Sequence, residues 1–86
     1  MYYSVMIVED EPLLRSNYKN AVHWEDFQCK VICDCGSMAE AIAYMKTNGF
    51  PDILMTDIRL IQESGIELCQ WVHRNHPETK KITAKL

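Results

Sequence analysis

Two short apolar runs, each ended abruptly by acid, restrict the folds open to this chain more than any other feature. The first is Val5-Met6-Ile7-Val8, followed at once by Glu9-Asp10-Glu11 and Pro12. The second is Ile53-Leu54-Met55-Thr56, which ends on Asp57. Apolar runs of about four to eight residues closed by turn signals read as buried strands, and strands covered on both faces belong to parallel sheets. In an open α/β sheet such strands deliver the residues at their C-terminal ends to the crevice where ligands bind. With these two strands as neighbours, Glu9, Asp10 and Asp57 converge. Three carboxylates at one point repel, an arrangement that is costly without a cation among them. Oxygen-only ligands suit a hard ion such as Mg²⁺.

The length of 86 residues sets one small domain, 1–86, with a core of little margin. A net charge of −3 without a basic run gives nucleic acid no direct foothold on this segment. No apolar stretch reaches the length of a membrane span and no signal peptide opens the chain, so no membrane role is expected and the cytoplasm is the expected compartment. Cys29, Cys33 and Cys35 fall on the odd positions of Cys29-Lys30-Val31-Ile32-Cys33-Asp34-Cys35, the period of a half-buried strand. They and Cys69 are read as core thiols rather than disulfides or zinc ligands, since Cys-x-Cys lacks zinc-knuckle spacing.

The first strand is expected from Met1 to Val8. Pro12 suits the first turn of a helix, with Leu14, Tyr18, Ala21 and Val22 as its apolar stripe and Arg15, Asn17, Lys19 and Asn20 mostly off it. A connector, His23 to Phe27, leads to the second strand, Cys29 to Cys35. Ser37-Met38-Ala39-Glu40 is a capping box opening a helix that turns Ala41, Ile42 and Met45 inward and stops at Asn48-Gly49. The third strand, Ile53 to Thr56, ends at Asp57, and a loop follows from Ile58 to Glu63. Ser64-Gly65-Ile66-Glu67 repeats the capping pattern, opening a helix whose buried face is Ile66, Cys69, Val72 and Leu68 and which ends before Pro77. A fourth strand is expected from Lys80. His73 and His76 near the helix end suit its dipole better than a metal site, Trp24 and Trp71 are packing residues, and Thr56 reads as an ordinary surface residue. Strands alternating with helices over short links specify α/β with a parallel sheet.

These motifs resemble the receiver domain of bacterial two-component response regulators. Val8-Glu9-Asp10-Glu11-Pro12 is similar to the family's acidic motif after the first strand. Asp52-Ile53-Leu54-Met55-Thr56-Asp57-Ile58-Arg59-Leu60 is similar to its third strand, and Gly65 stands eight residues past Asp57 as the family has it. The connector Val22 to Asp26 further resembles receivers joined to AraC-type DNA-binding domains. The resemblance implies a flavodoxin-like doubly wound parallel sheet of order 2-1-3-4, incomplete, with the fifth strand and the last two helices absent. It implies Asp57 as phosphoacceptor, with Mg²⁺ held by Glu9, Asp10, Asp57 and the backbone carbonyl of Arg59. Glu9 would act through a metal-bound water. The implied phosphodonor is a sensor histidine kinase, and DNA would be reached only through an output domain absent from this chain.

The chain departs from the family pattern in places. Ile61 stands where the family usually has proline, which leaves the loop Leu60 to Glu63 less rigid. Thr83-Ala84 resembles the switch pair of the fourth strand but arrives about two residues early. Lys85 follows too closely to be the family's phosphoryl-contacting lysine, so weak phosphorylation is expected. A bare sheet edge and face imply self-association, or a longer parent protein. The rival function is a non-catalytic interaction module that keeps the acidic pocket. An Asp-nucleophile phosphatase of the haloacid-dehalogenase type is disfavoured, because Asp57-Ile58-Arg59 lacks that family's second acid.

Overall fold

A computed structural model describes residues 1–60 and 63–84. The expectations resting on Ile61 and Lys85 lie outside them. Strand β1 (Tyr3–Val8) is flanked by β2 (Cys29–Cys35) and β3 (Ile53–Asp57), and β3 by β6 (Lys80–Ala84), all parallel. The order β2-β1-β3-β6 is the expected 2-1-3-4. Between β3 and β6 in the chain lie β4 (Arg59–Leu60) and β5 (Glu63–Ser64), a short antiparallel pair where a plain loop was expected.

Helices cover both faces, unequally. On one face α2 (Met38–Asn48) and α3 (Gly65–Asn75) close over Met6, Val8, Cys35 and Leu54 with Ala41, Met45, Leu68 and Val72, all buried. On the other, Val5, Ile7 and Cys29 are joined by partly buried neighbours, among them Tyr18 of α1 (Pro12–Asn20) and Trp24. Alternation along β1 sends successive side chains to opposite faces, so its run Val5 to Val8 serves both cores.

The rim remote from the acids is tied together. Asp52 Oδ2 accepts from the Ser4 N–H at 2.8 Å, and Ser4 Oγ accepts from the Asp52 N–H at 2.9 Å. The buried Thr79 hydroxyl donates to the Pro51 carbonyl at 2.7 Å, which leaves its oxygen to accept from His76 Nδ1 at 2.9 Å. His76 stacks on Phe50 with centroids 4.9 Å apart.

Several elements differ from expectation for identifiable reasons. Helix α1 ends at Asn20 and buries no residue, because the chain turns at Ala21 into a 3₁₀ segment, Trp24–Phe27. Trp24, held by its Nε1–H donating to the Tyr18 carbonyl at 3.1 Å, covers the sheet where Ala21 and Val22 were expected. On α3 the buried positions are Gly65, Leu68 and Val72, and Ile66, one helical step away, is 51% exposed. The Ser37 hydroxyl accepts from the Glu40 N–H at 3.1 Å as a capping box requires, and the Glu40 carboxylate reaches back to accept from the Gly36 N–H at 3.3 Å. Among the described residues, no helix is long and apolar enough to cross a membrane.

Strand β2 carries the largest correction. Val5 pairs with Val31 but Met6 pairs with Cys33, so Ile32 is an extra residue. Without it Cys29, Val31, Cys33 and Cys35 would share one face. With it Cys29 and Val31 join the α1 side, Cys33 and Cys35 join the α2–α3 side, and Asp34 lies opposite Ile7.

Candidate metal centre

Neighbouring parallel strands end in register on the same rim. Val8 lies opposite Thr56, so the residues that follow, Glu9, Asp10 and Asp57, leave the sheet together. One carboxylate oxygen from each lies within 4.8 Å of the others. Glu9 is buried, at 1% exposure, and Asp10 and Asp57 are half-buried.

The crowding shows in the electrostatics. Burial pushes the Glu9 carboxyl up from its ordinary 4.5 to about 7, and Asp10 and then Asp57 beside it push the same way. The Glu11 N–H, which donates to Glu9 Oε2 at 3.0 Å, pulls in the opposite direction. With the acids ionised, Glu9 Oε1 is buried and has no hydrogen-bond donor among the described residues. An orphaned anionic oxygen beside two more carboxylates is a configuration that a divalent cation relieves, and an all-oxygen donor set fits Mg²⁺. The residues present therefore fit the expected metal.

Two residues crowd the Asp57 backbone carbonyl. Thr56 is buried, contrary to the surface reading, and its hydroxyl donates to the Asp57 carbonyl at 3.0 Å. At Gly65 a Cβ would stand 1.8 Å from that same carbonyl oxygen, and the Gly65 N–H donates to Ile58 at 2.9 Å. No side chain fits there, which gives a physical reason for glycine at this position.

Of the remaining expected residues, Arg59 lies two residues past Asp57 in β4, pairing with Ser64. Thr83 lies opposite Thr56, one step before the Asp57–Ala84 pair, and is exposed. Sequence reading missed Arg15. Its Nη1 donates to the Glu9 carbonyl at 2.8 Å and its Nε lies 3.4 Å from Asp34 Oδ2. The spacing of Arg15 along α1 gave only a position off the apolar stripe, and the bulge at Ile32 that turns Asp34 toward it has no signature in the β2 alternation.

The family model for the response regulator receiver domain matches residues 5–84. An uncharacterised response regulatory protein of Staphylococcus epidermidis is 29% identical over 66 residues, 77% of this chain and 26% of that protein. The transcriptional regulatory protein HptR of Staphylococcus aureus is 27% identical over 66 residues, with the same coverage of 77% and 26%. The chain thus spans about a quarter of the length of these relatives. The REC domain of AraT, a response regulator from Geobacillus stearothermophilus, superposes with a TM-score of 0.88 at 21% identity, over 99% of this chain and 65% of that one. At that identity the likeness concerns the fold.

Proposed function

Because this chain belongs to the response regulator receiver family, we propose that Asp57 accepts a phosphoryl group from the phosphohistidine of a sensor histidine kinase. Glu9, Asp10, Asp57 and the Arg59 carbonyl would hold Mg²⁺. The observation that carries the reading is the convergence of three carboxylates, one of them Glu9, whose buried Oε1 has no donor among the described residues.

An Asp57 carboxylate oxygen forms the new bond to phosphorus as the N–P bond of the donor breaks. The bonding pair stays on the imidazole nitrogen, and Asp57 becomes an acyl phosphate. Water later attacks phosphorus, returning the carboxylate and inorganic phosphate. The obstacle in both steps is repulsion between anionic partners. Bound Mg²⁺ supplies positive charge that offsets this repulsion and stabilises the charge spread over the phosphoryl oxygens in the transition state. The chain itself positions the nucleophile: the Thr56 hydroxyl and the close approach of Gly65 fix the Asp57 backbone. Thr83, one register step from the Asp57 pair, is the residue proposed to sense the phosphorylated state.

The test is intact mass spectrometry after incubation with Mg²⁺ and acetyl phosphate. A fraction of the chain is expected to gain one phosphoryl group, in keeping with weak phosphorylation, and the adduct should be absent in Asp57→Asn and after chelation of the metal. An adduct that persists in Asp57→Asn would remove Asp57 from its role. No adduct on folded chain would favour the interaction module. That second reading draws on the surroundings of β6, an edge strand of the described sheet, with Ile82 51% exposed on one face and Ile66 of α3 51% exposed over the other. Self-association there is part of the proposal, as are a cytoplasmic location and control of transcription through a DNA-binding segment beyond this chain. HptR, described as a transcriptional regulatory protein, supports the last.

A further inference from the structure

The acids of the pocket do not place themselves. Their side chains repel, so the turn that carries Glu9 and Asp10 has to be held from outside. Glu9 is gripped at both backbone polar groups. Its N–H donates to the Cys35 carbonyl at 3.0 Å, and its carbonyl accepts from Arg15 Nη1 at 2.8 Å. We infer that Arg15 is a positioning residue for the acidic pocket, its guanidinium fixing the turn that presents Glu9 and Asp10 to a divalent cation. The inference rests on the cation-binding reading above.

Two features build a seat for this side chain. The bulge at Ile32 sets Asp34 opposite Ile7 on the α1 side, where its carboxylate meets Arg15 Nε at 3.4 Å and Lys19 Nζ at 3.1 Å. Gly36 leaves room, since a Cβ there would stand 2.8 Å from Arg15 Nη1 and 3.9 Å from the Glu9 carbonyl oxygen. The Arg15 side chain is only 23% exposed, so these charge-assisted contacts are partly shielded from water. A guanidinium reaches the Glu9 carbonyl and Asp34 through different nitrogens of one rigid plane. Lysine offers a single point of donation and cannot span both.

Removing a group that orients a metal ligand typically lowers metal affinity by about 10- to 100-fold. For a partly exposed seat the lower end, about tenfold, is expected. Mg²⁺ is titrated into the 86-residue chain by calorimetry, with melting followed separately without the metal. Arg15→Ala, Arg15→Lys and Gly36→Ala should each weaken Mg²⁺ about tenfold. Gly36→Ala is the sharpest variant. It preserves every charge, and the atom it displaces is the end of a flexible side chain, so folding should survive with little loss. Arg15→Lys keeps the charge and serves if Arg15→Ala unfolds. Undiminished Mg²⁺ affinity in folded Gly36→Ala and Arg15→Lys, even with lowered melting temperatures, would reduce Arg15 to a structural residue and leave the cation site standing. No Mg²⁺ binding by the unaltered chain would overturn both.

Discussion

Glu9 is held in the folded chain as an acid that resists ionising. Its carboxyl is raised from 4.5 to about 7 by burial first and by Asp10 and Asp57 after that. The folded chain therefore binds this proton more tightly than the unfolded chain does. The stability it contributes is complete below about 4.5 and is lost as pH rises through 7. The size of the shift corresponds to roughly 3 kcal/mol between those limits. Urea unfolding with a chelator present should show the wild type losing up to that much more stability than Glu9→Gln between pH 4.5 and 7.5. Parallel pH profiles for the two proteins would mean that Glu9 titrates normally. The convergence of Glu9, Asp10 and Asp57 was legible because strand ends are set by sequence: an apolar run stops where acid begins, and parallel neighbours stop on one rim. Arg15 and Gly36 were not legible, because their meeting needs a displaced Asp34 and a space that only coordinates reveal.

At the level of elements, hydrophobic period specified which segments became strands and helices, and local chemistry set their ends. Ser37 and Ser64 cap where expected, and Gly49 closes α2 with φ 91°, a left-handed value that favours glycine. What period could not specify was face. The odd-position rule in β2 holds for Cys29 and Val31 and again for Cys33 and Cys35, but Ile32 reverses the side between them. On α3, Ile66 was assigned inward because it is apolar, whereas Gly65 takes the buried position in its place. The junction of β3 with α3 depends on that glycine. Gly65→Ala would drive a Cβ into the Asp57 carbonyl, a backbone obstacle that cannot swing aside. The expected cost is about 3 kcal/mol, the upper part of the overpacking range, read as a lowered urea midpoint. Unaltered stability in Gly65→Ala would show that the β3–α3 junction moves freely.

Taken as a whole molecule, the sheet is protected unevenly. Among the described residues, one face has two helices and eight buried residues in its core; the other has α1, which buries nothing of its own, and a cluster of three. The edges differ too. Strand β2 is blunted by its bulge and by the exposed Lys30, both ordinary devices against strand addition. Strand β6 pairs regularly with β3 and carries no bulge, and Ile82 stands exposed on the thinner face. Lys80 and Lys81 give it some charge, but the Lys81 ammonium turns back to the Thr79 carbonyl at 2.6 Å. An unblunted edge that exposes Ile82 favours pairing with a second copy, and a stable contact would need to bury about 1,200 Å² or more in total. Sedimentation equilibrium of this chain should therefore give a mass that rises from one chain toward two as concentration increases. Ile82→Glu, which puts a charge on the edge without touching the acidic pocket, should restore the single-chain mass and leave Mg²⁺ affinity unchanged. A wild-type mass that stays at one chain into the millimolar range would show that the lysines of β6 suffice to guard it.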